Sequence, residues 1–195
     1  MVTQYGLVID LDRCTGCQTC TIACKMEHGL TGVSGIRVET VGGSHRDTPD
    51  GEYPTLSMSY LPVPCMHCGE PPCAASCPTD AIYKRDDGIV LIDEEKCNQC
   101  QACIKACPYD ALAFDSPNSR VWKCNLCAHR VDQGLAPFCV SCCEMEAMLF
   151  GDIADPSAIA LQWASQRNSY TLKPELGTQP SVRYCPPRLA RGDEG

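Results

Sequence analysis

The sequence predicts an α+β fold made of small modules that are held together by bound metal clusters rather than by one large apolar core. Two observations lead to this prediction. Sixteen of the 18 cysteines fall into four groups of four, and 15 Gly and 15 Pro residues favour short elements and abundant loops. Because aromatic residues supply only 6% of the chain, the clusters would form much of the core, and folding would be coupled to their insertion.

The third cysteine group has the most specific spacing. It reads Cys97-x2-Cys100-x2-Cys103-x3-Cys107-Pro108, which is the ligand spacing of [4Fe-4S] clusters in bacterial ferredoxins. The first group repeats this spacing with Cys14, Cys17, Cys20 and Cys24. The second group varies it with Cys65, Cys68, Cys73 and Cys77. The fourth group is split into two pairs, Cys124 with Cys127 and Cys139 with Cys143. Four complete sets of thiolates predict four [4Fe-4S] clusters and a role in electron transfer.

Disulfides and structural zinc are the alternatives for so many cysteines. The chain is long for a small disulfide scaffold, and its opening, MVTQYGLVID, lacks the basic segment, apolar run and cleavage site of a secretory signal. Zinc would need pairs of Cys-x2-Cys and would leave a third and a fourth cysteine in each group without a role. Iron-sulfur clusters therefore explain the pattern best.

The charge of the chain disfavours nucleic acid as a partner. The formal net charge is −8, and four clusters with their thiolates would add roughly −8 more. A surface of this sign repels phosphate backbones. No apolar run approaches the roughly 20 residues that cross a bilayer, so we expect no direct membrane span and any attachment to a membrane through a partner.

Several elements are predicted along the chain. Residues 5–10, YGLVID, predict a strand that leads into the first cysteine loop. Residues 29–54 lack cysteine and are rich in Gly, Thr and Asp, which predicts a polar connection. Between groups two and three, Asp87 and Gly88 predict the turn of a hairpin whose return strand is residues 89–92.

The hairpin between groups two and three indicates how the groups pair. It is typical of a compact two-cluster ferredoxin, so groups two and three pair in one module, and groups one and four pair around it. The predicted fold is therefore two ferredoxin-like 2x[4Fe-4S] modules, the second inserted in the first, with an extended C-terminal tail. The boundaries are residues 1–54 and 118–155 for the first module, 55–117 for the inserted one, and 156–195 for a short helix and a partner-binding tail.

The end of the chain is predicted to contain little core. Asp155 can cap a short helix with Pro156 at its first position, and Ile159 and Trp163 would then share one face. From Tyr170 onward the tail has little apolar content, so we expect it to lie extended along another surface and to clasp a partner.

Longer runs of sequence resemble a specific family. These runs are Cys-Met-His-Cys-Gly-Glu-Pro-Pro-Cys at 65–73, Cys-Pro-Tyr-Asp at 107–110, Lys-Cys-Asn-Leu-Cys-Ala-His-Arg at 123–130, Phe-Gly-Asp at 150–152 and Leu-Lys-Pro-Glu-Leu-Gly-Thr at 172–178. With the four-group layout, they resemble the four-cluster iron-sulfur electron-transfer (beta) subunit of molybdopterin oxidoreductases of the dimethyl sulfoxide, polysulfide, thiosulfate and arsenate reductase type. The resemblance covers nearly the whole chain.

The resemblance implies a non-catalytic subunit of an oxidoreductase complex. Such a subunit relays electrons between a molybdopterin-containing catalytic subunit and a multi-helix membrane anchor subunit that reacts with quinone or quinol. A formate- or hydrogen-linked complex, a soluble molybdenum enzyme and a free-standing polyferredoxin are the alternatives. The implied location is peripheral to the cytoplasmic membrane through partners, on the exported face by co-export with the catalytic subunit; the alternative is cytoplasmic.

The resemblance also implies that each fourth cysteine crosses over to a neighbouring cluster. The implied ligand sets are site 1 (Cys14, Cys17, Cys20 and Cys143), site 2 (Cys24, Cys124, Cys127 and Cys139), site 3 (Cys65, Cys68, Cys73 and Cys107) and site 4 (Cys77, Cys97, Cys100 and Cys103). Relatives of the nitrate reductase type replace one ligand of the third group by Trp, giving a three-iron cluster, whereas cysteine is present here.

One part of the sequence departs from the family pattern. The family usually places Pro after its last ligand, but here Cys142 and Cys143 are adjacent and Glu144 follows them. Spacing favours Cys143 as the ligand and leaves Cys142 spare, with the opposite choice as the alternative. Cys185 is interpreted as a further spare thiol.

Other residues are candidates for tuning the clusters. Two histidines inside cysteine loops can donate hydrogen bonds to sulfur or merely pack: His67 and His129. Three lysines beside cysteines can offset cluster charge or face solvent: Lys25, Lys105 and Lys123. Two carboxylates beside the last group would lower a cluster's potential: Glu144 and Glu146. We find no nucleophile with a base and no phosphate-binding glycine loop, so no catalytic residue is expected.

Overall fold

The computed structural model describes residues 3–188, and its regular elements are short. The strands are β1 (Tyr5–Asp10), β2 (Ile36–Val41), β3 (Ser59–Pro64), β4 (Ile82–Lys84), β5 (Val90–Ile92), β6 (Leu112–Asp115), β7 (Arg120–Lys123), β8 (Met148–Asp152) and β9 (Val182–Cys185). The helices are α1 (Thr19–His28), α2 (Pro72–Ala75), α3 (Ala102–Ala106), α4 (Ala128–Val131), α5 (Phe138–Ser141) and α6 (Ile159–Gln166). The prediction of a mixed α and β fold with little helix is confirmed.

A three-stranded sheet joins the start, the last third and the end of the chain. Its order is β8-β1-β9, with β1 antiparallel to β8 and parallel to β9. Leu7 and Ile9 pack into the main core on one face, whereas Val8 packs on the other face against Ala160 and Ala164 of α6. Both faces of β1 are therefore covered, which explains why its sequence is a continuous apolar run. The predicted strand at residues 5–10 is confirmed.

The expectation that the end of the chain contains little core is wrong as far as Cys185. Tyr184 and Cys185 in β9 are fully buried within the chain itself. The Tyr184 hydroxyl donates a hydrogen bond to the Pro62 carbonyl at 2.9 Å. The tail has few apolar residues, but they complete a core that other segments supply, and backbone pairing with β1 holds them there. The part of this prediction that concerns residues 189–195 lies outside the described residues.

The other strands form three separate two-stranded antiparallel sheets: β2 with β3, β4 with β5 and β6 with β7. The hairpin β4–β5 was predicted, and Gly88 in its turn has φ 86°, a left-handed conformation that glycine adopts without strain. The return strand begins at Val90 rather than at residue 89. The hairpin β2–β3 was not predicted. Its first strand lies within residues 29–54, for which a polar connection was expected, but Ile36 and Val38 of this strand are buried.

Helix α6 begins later than predicted. Asp155 does not cap it; its carboxylate instead accepts a hydrogen bond from the Ser157 backbone N–H at 2.8 Å and closes a turn before the helix. The helix then begins at Ile159, which is 77% exposed. Trp163 points inward, and its Nε1 donates to the Asp10 carboxylate at 3.2 Å. Ile159 and Trp163 are thus one turn apart on the helix as predicted, but Ile159 is exposed whereas Trp163 reaches the interior.

Candidate iron-sulfur centres

Site 1 surrounds a cavity below the central sheet. Three of its cysteines lie in the loop after β1 and at the start of α1, and the fourth follows α5; the cavity is lined by Cys14, Cys17, Cys20 and Cys143. Gly16 in this loop has φ 69°, and a Cβ there would meet the Tyr60 ring at 2.4 Å. Only glycine fits this turn, which brings the three cysteines of the loop to one side of the cavity.

Site 4 is built in the same way from the cysteines of groups two and three. Its cavity is lined by Cys77, Cys97, Cys100 and Cys103, together with apolar side chains such as Ile82 and Val121. Three of the cysteines come from the loop before α3 and from α3 itself, and Cys77 comes from the end of α2. Cys77 therefore follows a short helix, as Cys143 does in site 1.

Site 3 gathers residues from groups two and three. Burial, together with the neighbouring thiols of Cys65, Cys107 and Cys68, raises the pKa of the Cys73 thiol to about 12. Burial likewise raises the pKa of Cys68 to about 11, with contributions from Cys65 and Cys107. The four thiols of this set are therefore mutual neighbours.

Site 2 gathers residues that are far apart in the chain. Burial raises the pKa of Cys139 well above its usual range, and the thiols of Cys124, Cys127 and Cys24 add to this rise. Burial also raises the pKa of Cys124, with Cys24 as the next contributor. These residues come from α1 and from both pairs of group four, so the fold brings the split group together around Cys24.

Short helices make neighbouring sites adjacent. Cys20 and Cys24 lie one turn apart on the same face of α1, so sites 1 and 2 are next to each other. Cys103 lies within α3 and Cys107 ends it, which places sites 3 and 4 side by side. Sites 2 and 3 also approach each other, since Cys65 of site 3 is among the thiols that raise the pKa of Cys124 of site 2.

His67 has a buried polar atom that fits a sulfur-rich group. His67 is 1% exposed, and its Nδ1 accepts a hydrogen bond from the Val90 N–H at 3.0 Å. Burial, with the nearby Lys123 charge, lowers the pKa of His67 well below its usual value, so the ring is neutral and Nε2 carries the proton. Among the described residues this buried Nε2 has no hydrogen-bond partner. A donor inside the Cys65–Cys68 loop suits a cluster sulfur.

Backbone N–H groups also point at cysteine sulfurs. Gly35 donates to Cys24, Ala81 to Cys77 and Ala147 to Cys143, each at 3.3 Å, and Leu126 donates to Cys124 at 3.4 Å. Such bonds stabilise thiolates rather than thiols. Because burial nevertheless raises the pKa of Cys24 and of Cys124, iron binding would supply the remaining stabilisation of their thiolates.

A repeated turn distinguishes Cys143 from Cys142. The chain after Cys143 runs through three residues to Ala147, as Cys77 leads to Ala81 and Cys107 to Ala111. The residue before each alanine is left-handed: φ is 48° at Glu146, 51° at Asp80 and 51° at Asp110. Cys142 has no counterpart of this turn and does not line the cavity of site 1. The interval of three residues between Cys143 and Ala147 is visible in the sequence and favours Cys143 over Cys142 as a ligand.

The other predicted candidates differ in their surroundings. His129 bonds to Glu27 at 2.7 Å rather than to a cysteine, whereas His28, which sequence reasoning missed, places Nε2 3.4 Å from the Cys127 sulfur. Lys105 is exposed and Lys25 is half-buried, but Lys123 is buried. Glu144 and Glu146 are exposed. Cys185 is buried beside Val8 and Ala160, away from the four cysteine sets.

Residues 3–188 contain neither a site for a single metal ion nor a membrane-spanning helix. No group of three His, Cys, Asp or Glu side chains in this range is arranged to hold one ion. None of the helices in the same range is long and apolar enough to cross a membrane.

Comparison with known proteins identifies the family. Residues 56–153 match the family described as the 4Fe-4S dicluster domain, and residues 5–26 match the 4Fe-4S binding domain. The chain therefore contains ferredoxin-like 4Fe-4S domains and binds multiple [4Fe-4S] clusters, as predicted.

The relatives are subunits of oxidoreductases. The B subunit of sulfite dehydrogenase from Allochromatium vinosum is 39% identical over 97% of this chain and 86% of the relative. The B subunit of anaerobic dimethyl sulfoxide reductase from Haemophilus influenzae is 37% identical over 96% and 92%. The arsenate respiratory reductase iron-sulfur subunit of Shewanella sp. strain ANA-3 is 31% identical over 93% and 95%. The chain thus belongs to the family of iron-sulfur B subunits of dimethyl sulfoxide reductase-type complexes, in which it is a non-catalytic electron-transfer subunit.

Proposed function

We propose that this chain carries four [4Fe-4S] clusters and relays electrons between a molybdopterin-containing catalytic subunit and a quinone- or quinol-reactive membrane subunit. The observation that supports the proposal best is that two cavities are each lined by four cysteines from two different groups, while the remaining cysteines of the four groups neighbour one another across groups. The ligand sets are sites 1 to 4 as defined above. When bound, each cluster supplies storage for one electron.

The proposed relay runs from site 1 through sites 2 and 3 to site 4. Sites 1 and 2 meet across α1, and sites 3 and 4 meet across α3. Cys17 in site 1 and Cys100 in site 4 are exposed, whereas the cysteines of sites 2 and 3 are buried or half-buried. Electrons would therefore enter and leave at the two outer sites, while the protein keeps solvent from the inner ones.

The same contacts support two modules. Helix α1, from group one, packs on α5, from group four, and α2 packs on α3. We propose that residues 1–54 and 118–155 form one module around sites 1 and 2, and that residues 55–117 form the inserted module around sites 3 and 4. The strand β9 places the C-terminal segment against the first module through β1.

The partners and location extend the family membership. The relatives are B subunits of reductases and of a dehydrogenase, which supports a catalytic partner subunit here. We propose that a membrane anchor subunit is the second partner, and that the complex lies peripheral to the cytoplasmic membrane on its exported face, with the cytoplasm as the alternative.

Metal analysis tests the number of clusters. The chain, purified anaerobically, is expected to contain about sixteen irons and a similar amount of acid-labile sulfide, because four complete ligand sets are present. Zinc in place of iron, or half this amount of iron, would contradict four [4Fe-4S] sites.

Activity measurements test the relay. The complex is expected to turn over with a quinol or quinone analogue only when this chain and both partners are present, whereas the isolated chain is reduced and oxidised without acting on a substrate. Conversion of a small substrate by the isolated chain at an enzymatic rate would contradict the relay.

A further inference from the structure

Lys123 is a buried lysine at the junction between sites 2 and 3. Its side chain is 2% exposed. It is the last residue of β7, which pairs with β6 at Leu112, and it directly precedes Cys124 of site 2. Its Nζ donates to the backbone carbonyls of Val90 and Cys124, the latter at 2.9 Å. These partners are neutral, although a buried ammonium group is costly unless a negative charge compensates it.

No carboxylate in the described part of the chain supplies this compensation. Among residues 3–188, no ion pair includes Lys123. The buried Asp115 of the same hairpin pairs with Arg120 instead, at 3.5 Å. The negative charge that faces Lys123 must therefore come from another kind of group.

Cysteine thiolates of two different sites lie next to Lys123. Cys124 of site 2 is its neighbour in the chain and accepts its hydrogen bond through the backbone. Val90, the other acceptor, packs in one buried cluster with Cys73 of site 3. The Lys123 charge also opposes the rise that burial causes in the pKa of both thiols, Cys73 and Cys124. One ammonium group thus acts on both inner sites.

We propose that Lys123 is the shared counter-charge of sites 2 and 3 and raises the reduction potentials of the clusters they hold. This inference rests on the proposed function. When a site gains one electron, its net charge becomes more negative by one unit, and a fixed positive charge nearby stabilises that state. Because Lys123 lies between the sites, it also offsets the repulsion between an electron on one site and an electron on the other.

Burial gives Lys123 an effect that an exposed lysine lacks. Lys105 lies two residues after Cys103 of site 4, but it is exposed. Solvent screens an exposed charge, whereas a buried one acts through a medium of low dielectric constant. Lys105 is therefore the matched control: it has a similar distance in sequence from a cluster ligand and the same charge, but no burial.

Redox titration of variants tests the inference. The variants are Lys123→Gln, Lys123→Met, Lys123→Arg and Lys105→Gln, each purified anaerobically within the complex. Iron content is measured first, and midpoint potentials are then measured by titration followed by electron paramagnetic resonance. We expect two of the four potentials to shift downward in Lys123→Gln and Lys123→Met, to return toward the wild-type values in Lys123→Arg, and to stay unchanged in Lys105→Gln.

The Gln variant separates charge from hydrogen bonding. Gln keeps a donor for the Val90 and Cys124 carbonyls but carries no charge, so it remains informative if Lys123→Met fails to assemble. Unchanged potentials in a Gln variant with full iron content would overturn the inference, and a shift of one potential alone would overturn the sharing between two sites. Fewer than four clusters in the wild-type complex would instead count against the proposed function.

Discussion

The two outer sites and the two inner sites differ in their access to solvent. Sites 1 and 4 each include an exposed cysteine, Cys17 or Cys100, and sites 2 and 3 include none. A hydrogen bond with Thr19 lowers the pKa of Cys17, whereas burial raises that of Cys73 to about 12. Burial thus dominates at the cysteines of sites 2 and 3, whereas sites 1 and 4 each keep one cysteine in contact with solvent. The exposed cysteine of each of these two sites suits the exchange of electrons with partners that we propose.

Loss of a ligand at an outer site is expected to have the largest local effect. Cys143→Ser should remove the site 1 cluster or convert it to a form with fewer irons, because Cys143 lines that cavity. The other three clusters should survive, since site 1 is at one end of the set. Iron analysis and electron paramagnetic resonance measure both effects.

Cys142→Ser and Cys185→Ser are the controls for this change, and both should keep four intact clusters. Four clusters in the Cys143→Ser variant, or a lost cluster in Cys142→Ser, would reverse the assignment. Loss of all clusters in Cys143→Ser would contradict the independence of the outer site.

Opening the tail is expected to weaken the insulation of the inner sites. Tyr184→Ala removes a fully buried ring and its hydrogen bond to Pro62. We expect a loss of about 3–5 kcal/mol in stability and a Tm lower by about 6–20 °C, measured with the clusters bound. Iron release to a chelator should also become faster, because the same tail bonds to the site 3 loop through Ser181 and His67.

Tyr83→Ala is the matched control, because this tyrosine is exposed. Its Tm should differ little from that of the wild type, since exposed substitutions change stability by only about 0.5 kcal/mol. Equal effects of the two substitutions would show that the tail does not insulate the inner sites.

The ion pair between Arg85 and Asp132 is expected to contribute least. Arg85 bonds to Asp132 at 2.6 Å, and this bond lowers the pKa of Asp132 from its usual 3.8. A depressed carboxyl pKa stabilises the fold above the unfolded value and loses this effect as the pH falls through the folded value. The Tm difference between the wild type and Asp132→Asn should therefore be small, constant from pH 8 to pH 5, and reduced by salt. A difference that changes between pH 8 and pH 5 would contradict this assignment.

Local patterns in the sequence were reliable guides to chemistry. The spacing of Cys97 to Cys107 indicates iron-sulfur clusters without any tertiary information, because three cysteines on one loop approach a cluster together. The strand β1 and the turn at Gly88 were likewise predicted, since both depend on neighbouring residues. Comparison with known proteins confirms the chemistry and the family.

Predictions failed where distant residues decide the structure. The segment around Ile36 and Val38 looks polar by composition, but pairing with β3 makes it a strand. The start of the helix near Asp155 depends on competition between a cap and a turn that closes on Ser157. His28, rather than His129, reaches Cys127 because α1 and α4 meet in space.

The sequence by itself determined that the chain binds multiple [4Fe-4S] clusters, because iron-sulfur chemistry depends on the local spacing of cysteines. Only the tertiary structure decided that the last strand closes the central sheet, and that Lys123 is buried between two sites while Lys105 faces solvent. The physical reason is that burial is not a property of a residue or of its neighbours in the chain. It depends on segments far apart in sequence, such as β1 and β9, which exclude water only when they pack together.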